Sequence, residues 1–221
     1  MQALVRALVL LLVGGAATAC HVSDPGTPDA PTTTDGSDTG GPGLTLKWET
    51  KAPIPGAVDT DLTVTSMLYR MHALSVIGDA GSLMQNTFQL AWSDANHPPA
   101  LTFADAPTGL YSKIALLADG NLIDYSYEIY GTVVVSGETH QYKIHDRSPV
   151  GITLDTSLML EPGGGATVNV RLDIEQALHD LDFSMLTNDA GVLELDTFDN
   201  QMGDFRTRMM SQVFDVSHVD G

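Results

Sequence analysis

Apolar residues that recur at every second position govern most of this chain after residue 43. Leu44, Leu46 and Trp48 alternate with Thr45, Lys47 and Glu49, and Phe88, Leu90 and Trp92 repeat the pattern. A period of two puts successive side chains on opposite sides of an extended backbone, so each run reads as a half-buried strand. Residues 62–77 form a longer stretch rich in β-branched and aromatic side chains, and a bend is expected within it. Pro107-Thr108-Gly109 is a turn signal leading into a strand at 110–118. Residues 125–135 and 139–145 flank Ser136-Gly137-Glu138 and read as a hairpin. Ile152, Leu154, Leu158 and Leu160, then Val168, Val170 and Leu172, read as a second hairpin across Pro162-Gly163-Gly164-Gly165. About eight short strands separated by turn signals predict a mainly β domain, an antiparallel β-sandwich.

The pattern changes near the C-terminus. Asp173 is placed to cap a short helix in which Ile174, Ala177, Leu178 and Leu181 share a face. Asn200 is placed to cap a second, with Met202, Phe205, Met209 and Val213 turned inward and Asp204 one turn before Arg208. A short helical C-terminal section packed on the sandwich is therefore expected.

The first 43 residues have no such periodicity. Met1 to Arg6 carries one positive side chain, residues 7–13 (ALVLLLV) are apolar, and residues 14–19 (GGAATA) are small and neutral. The apolar run is far shorter than the ~20 residues a spanning helix needs, so 1–19 reads as a cleaved export signal. Ala17-Thr18-Ala19-Cys20 then resembles the lipobox of a bacterial lipoprotein precursor, with Ala17 where leucine is usual. The resemblance implies that Cys20 is lipidated and becomes the mature N-terminus. An ordinary secretory signal would cut the same bond and leave Cys20 bare. Cys20 is the only cysteine in the chain, and an exposed, unpaired thiol is a liability in an oxidising compartment. In that family an aspartate after the cysteine favours the inner membrane. His21 stands there, which implies lipid anchoring in the outer membrane, on its periplasmic or cell-surface side.

Of the 23 residues from His21 to Gly43, 20 are Pro, Gly, Ser, Thr or Asp. Such a segment buries too little apolar area to offset its ordering entropy, so 20–43 reads as a lipidated cysteine and a disordered polar tether. The folded domain is then 44–221. Its order of pieces resembles a class of uncharacterised β-sandwich lipoproteins of Gram-negative bacteria. The residues that carry the likeness are Ala106 to Ile114, Tyr127 to Val133, Gly137 to Ile144, and the C-terminal helix. The class implies a fold and a location, and no chemistry.

The chain carries 28 acidic against 10 basic residues, a formal charge of −18. A nucleic-acid surface needs clustered Lys and Arg, so that partner is not expected. No nucleophile elbow, zinc-protease helix motif, P-loop or dinucleotide fingerprint occurs in the sequence. No catalytic residue, metal ligand or cofactor is assigned. His140 and His145 are five apart on one strand, hence on opposite faces, with His140 on the side of Tyr142 and Ile144. Met67, Met71 and His72 have the softness for Cu(I), but a strand turns His72 away from the two thioethers, and core packing explains them better. Asp196, Asp199, Asn200 and Asp204 offer oxygen ligands for Ca²⁺ without the spacing of a known loop, and helix capping is the simpler account. Tyr125, Tyr127, Ile129, Val133 and Val135 share one strand face and Tyr130 lies on the other. Exposed tyrosines would suit a carbohydrate or envelope-protein partner, and a buried face would be core. The expected function is a lipid-anchored envelope protein with a non-catalytic binding or structural role. A carrier of a metal ion or small apolar ligand is the alternative, and a hydrolase comes after it.

Overall fold

A computed structural model describes residues 43–121 and 123–220. The expected export signal, Cys20 and the expected tether up to residue 42 lie outside the described residues, while Gly43, read as the last residue of that tether, opens the first strand. The domain is mainly β, with thirteen strands in two sheets among the described residues. The expectation of about eight undercounts, because β2, β5, β11, β12 and β13, introduced below, are too short or too polar to show a clear alternation.

The spine is β3 (Leu62–Gly78). One of its edges pairs with β2 (Gly56–Asp59) and then with β4 (Gly81–Trp92), reached through the Asp79-Ala80 turn. The other edge pairs with β7 (Tyr127–Val135) and then β6 (Gly109–Ala118), end to end. At the join the Arg70 N–H donates to the Ser126 carbonyl at 2.9 Å, and the Arg70 carbonyl accepts from Asp119 N–H at 3.0 Å. The sheet therefore forks. Beyond β6 lies β9 (Val150–Leu160), and beyond β7 lie β8 (Glu138–Asp146), β12 (Val192–Asp196) and β11 (Thr187–Asp189). These nine strands curl into a half-barrel. Register shifts between Val64 and Ser66 and between Met71 and Ala73 mark where β3 bends, as its length leads one to expect. Buried residues accordingly run Leu62, Val64, then Met67, Tyr69, Met71, then Leu74, Val76.

The second sheet has the order β13 (Phe214–Asp220), β10 (Gly165–Leu172), β1 (Gly43–Thr50) and β5 (Leu101–Phe103). Two pairings are parallel, β1 with β10 and β12 with β8, so the sheets are not antiparallel throughout. The expected β9–β10 hairpin is also absent. β9 is held by β6, while Gly163, at φ +73°, turns the chain away, and Gly164 accepts from Gly43 N–H to start the parallel ladder. Alternation tells which face of a strand is buried and is silent on which strand lies beside it.

Both sheets and the helices feed one buried cluster. In the helical section α1 (Glu175–His179) and α2 (Met202–Ser211) are joined by a single 3-10 turn, Phe183–Met185, and strands β11 and β12. Ile174, Ala177, Leu178 and Leu181 are buried, as are Met202, Phe205, Met209 and Val213, so both inward faces match their periodicity. The caps do not match. Ile174 and Gln201 occupy the N-cap positions without side-chain bonds to their own helices, the Gln201 amide bonding instead to the Asp182 backbone. Asp173 still accepts from Glu175 N–H at 3.2 Å while pairing with Lys51 at 2.8 Å. Arg208 does not reach Asp204; its guanidinium lies 5.9 Å over the Phe205 ring and donates to the Asp180 carbonyl at 3.4 Å. A ring and a helix-end carbonyl outcompete a solvent-exposed carboxylate.

Tyr69 sits at the centre, edge-on to Trp92 and Phe214 and 5.9 Å from the Tyr127 ring. Its hydroxyl is buried without a hydrogen-bond partner, and burial raises its pKa well above the usual value. A buried donor left unmade costs about 1–3 kcal/mol. Tyr69→Phe is therefore expected to leave stability unchanged or raise it by about 1 kcal/mol, read from chemical denaturation. A loss of that size would show that the hydroxyl is satisfied.

Candidate functional site

On the β7–β8–β12 branch the residues that alternate with the core form one polar face. Registers place Tyr130 beside Lys143, Glu128 beside His145, Lys143 beside Glu194, and His145 beside Asp196. The face is held by charge pairing. Arg70 Nη1 lies 2.7 Å from Glu128 Oε2 and also donates to the Tyr125 carbonyl at 2.9 Å. The Tyr130 hydroxyl donates to Glu128 Oε1 at 3.0 Å. Burial and that carboxylate push its pKa up to about 12, so Tyr130 is a fixed neutral donor at ordinary pH. Lys143 Nζ stands 3.6 Å from Glu194.

At one end of this face three flat groups are piled. The Tyr125 ring stacks on His145 with centroids 4.1 Å apart and planes 18° apart, and Arg147 lies over Tyr125 at 4.4 Å. Two loops clamp the pile. Arg147 Nη1 donates to the Ile123 carbonyl at 3.0 Å, and Arg147 N–H donates to Thr197 Oγ1 at 2.9 Å. Under this cover His145 keeps only 2% of its surface. Its Nε2 is 2.9 Å from Glu194 Oε1 and 3.4 Å from Asp196 Oδ1, with no well-directed hydrogen bond to either. Desolvation first, and Lys143 second, lower the His145 pKa, against the opposing pull of Asp196, Glu194 and Glu128.

That direction sets a pH dependence. Unfolded, His145 takes up a proton near pH 6.5, while the folded site resists it to lower pH. The unfolded chain then binds more protons, so stability falls as pH drops through about 6.5. His145→Phe is expected to flatten the stability profile between pH 7 and the lowered value, measured by denaturant titration. An unchanged slope would show that His145 titrates alike in both states.

Beside the pile is a groove of about 370 Å³ lined by Thr65, Tyr130, Thr132, Gln141, Lys143 and Val192. Its walls combine a tyrosine ring, hydroxyls, an amide and an ammonium, the mixture that binds polar uncharged groups. A smaller recess of about 190 Å³ lies where β3 meets α1, with His179 Nε2 3.3 Å from Asp59 Oδ2 at its rim.

The other candidates separate. Cys20 lies outside the described residues. Met67 and Met71 are buried in the core and His72 is exposed. His140 is on the core side of β8 and His145 on the polar side, as spacing requires. Asp199 accepts from Asp196 N–H at 2.7 Å and Asp196 from Thr197 N–H at 2.6 Å, so this acidic segment is a hydrogen-bonded turn. Among the described residues no three metal-ligating side chains converge. Tyr127, Ile129 and Val133 are buried core. Tyr125 departs from them, because it precedes β7 and turns outward onto His145. Sequence reasoning passed over Arg147 and the burial of His145. The spacing fixes the face on which His145 lies, and what covers it comes from a loop. No family model, curated protein or solved structure matches the chain.

Proposed function

We propose that this is a lipid-anchored cell-envelope protein, exported, acylated at Cys20, and carrying a non-catalytic binding domain on a polar tether. The anchoring half is supported by Ala17-Thr18-Ala19-Cys20 and the 23 residues that follow. The binding half is supported by one observation, the groove between Tyr130, Gln141 and Lys143 on the outer face of β7 and β8. The charges around it are already paired with one another, which favours a neutral polar ligand such as a carbohydrate, or a polar segment of an envelope protein. The two sheets bury their inner residues in one cluster, which supports reading the domain as a sandwich of unequal sheets.

Membrane fractionation tests the anchor: the wild type is expected in the outer-membrane fraction and Cys20→Ala is expected to be soluble or unprocessed. An oligosaccharide array probed with the mature protein tests the groove. Tyr130→Ala and Gln141→Ala are expected to remove any bound signal while keeping the melting temperature. Binding that survives both would place the site elsewhere.

A further inference from the structure

β4 differs from every other sheet edge in the domain. It is 12 residues long, and among the described residues its one sheet neighbour is β3. The two run without a register shift from Met67↔Trp92 to Gly78↔Gly81, so no bulge twists the outer edge away. From Ala80 to Ser93 there is no charged residue and no proline. Met84 is 65% exposed, and Ser82, Asn86, Thr87 and Gln89 are exposed beside it. Edge strands are ordinarily blunted by shortness, charge, proline or bulges. The other edges here follow that rule. β5 and β11 have three residues each, β2 has four and ends at Asp59, β13 carries Asp215 and Asp220, and β9 carries Asp155 and packs against α2 and β13.

We infer that β4 is a self-association edge, pairing antiparallel with the β4 of a second copy of this chain. Charge selects this edge for a contact between two copies. Two chains of formal charge −18 repel wherever their acidic edges meet, and β4 is the long edge that brings no charge to the contact. Its sequence is also self-complementary. Antiparallel pairing about a two-fold between Gln85 and Asn86 sets Gln85 opposite the partner's Asn86 and Ser82 opposite the partner's Gln89, where each side chain is both donor and acceptor. Among the described residues each chain has one such edge, so the pairing closes at a dimer and does not propagate. Twelve residues at ~3.3 Å give a contact about 40 Å long and one strand deep, which is small, so the dimer is weak and reversible.

The test uses the mature full-length protein in density-matched detergent, followed by sedimentation equilibrium. The wild type is expected to pass from monomer to dimer as its concentration rises to about 100 µM. Met84→Lys/Asn86→Lys, which changes two exposed side chains, is expected to stay monomeric with the wild-type far-UV spectrum and melting temperature. Amide exchange on β4 should slow with concentration in the wild type alone. A wild type that is monomeric throughout overturns the inference, including the case where β4 amides are protected by the chain's own N-terminal segment. A dimer that persists unchanged in the double-lysine variant also overturns it, by placing the contact on another surface.

Discussion

Arg206→Ala is expected to cost about 3–5 kcal/mol, because it leaves a buried carboxylate with no counter-charge. The Asp146 side chain is fully buried, and Arg206 holds it through two bonds, Nε to Oδ2 at 2.5 Å and Nη2 to Oδ1 at 3.0 Å. Asp146 also accepts from Ser148 N–H at 2.9 Å, and its backbone carbonyl accepts from Ser126 N–H. One residue thus ties α2 to the end of β8 and to the strand junction at Arg70. The carboxylate raises the Arg206 pKa further, so the guanidinium stays charged throughout. In a domain of this size the loss corresponds to a drop of roughly 10–15 °C in melting temperature, measured by calorimetry. Arg206→Met/Asp146→Leu is expected to recover much of it, since replacing both partners removes the stranded charge. If the single variant lost under 1 kcal/mol, water would have to reach Asp146 in place of the guanidinium.

Gly131→Ala is expected to have an effect of similar size by a different route. Gly131 lies on the core face of β7, opposite Tyr142 on β8. The Tyr142 ring crosses above it, and the hydroxyl donates to the Thr63 carbonyl on β3 at 2.9 Å. A Cβ at position 131 would stand 2.0 Å from that carbonyl oxygen and 2.5 Å from the Tyr142 hydroxyl. Overpacking of a filled core costs about 1–3 kcal/mol and more where backbone must move. About 3 kcal/mol or more is expected here, read from denaturant midpoints. Tyr142→Phe alone should cost about 1 kcal/mol for its lost hydrogen bond. It should not rescue Gly131→Ala, since the nearer obstacle is the Thr63 backbone. Rescue would show that the ring alone sets the limit.

These two positions show what could be read from the sequence. The alternation through Leu44–Trp48, Phe88–Trp92 and Tyr127–Ile144 gives the strands and their buried faces, and the 3.6 spacing of Met202, Phe205 and Met209 gives the inner face of α2. Partner choice was not legible. β10 could have paired with β9 by pattern alone, and its parallel union with β1 depends on contacts 122 residues apart in sequence, Gly43 with Gly165. Gly131 reads as a weak point in a strand until a tyrosine is seen to occupy its missing side chain. At the polar face, the spacing assigned His145 a side and nothing more. Its burial comes from Tyr125 in a loop and from Arg147, held by carbonyl and hydroxyl bonds that leave no periodic trace. The same limit applies to caps. Asp173 and Asn200 have the right residue type at the right distance, yet Lys51 takes much of Asp173 and the helix after Asn200 starts without a side-chain cap.

The proposed anchoring of the protein through Cys20 is tested most directly by intact mass spectrometry of the mature chain purified from membranes. An N-terminus at Cys20 carrying the mass of attached acyl chains is expected, with loss of that mass in Cys20→Ala. A mature chain that begins at Cys20 with a free thiol and no added mass, or that retains residues 1–19, would contradict it.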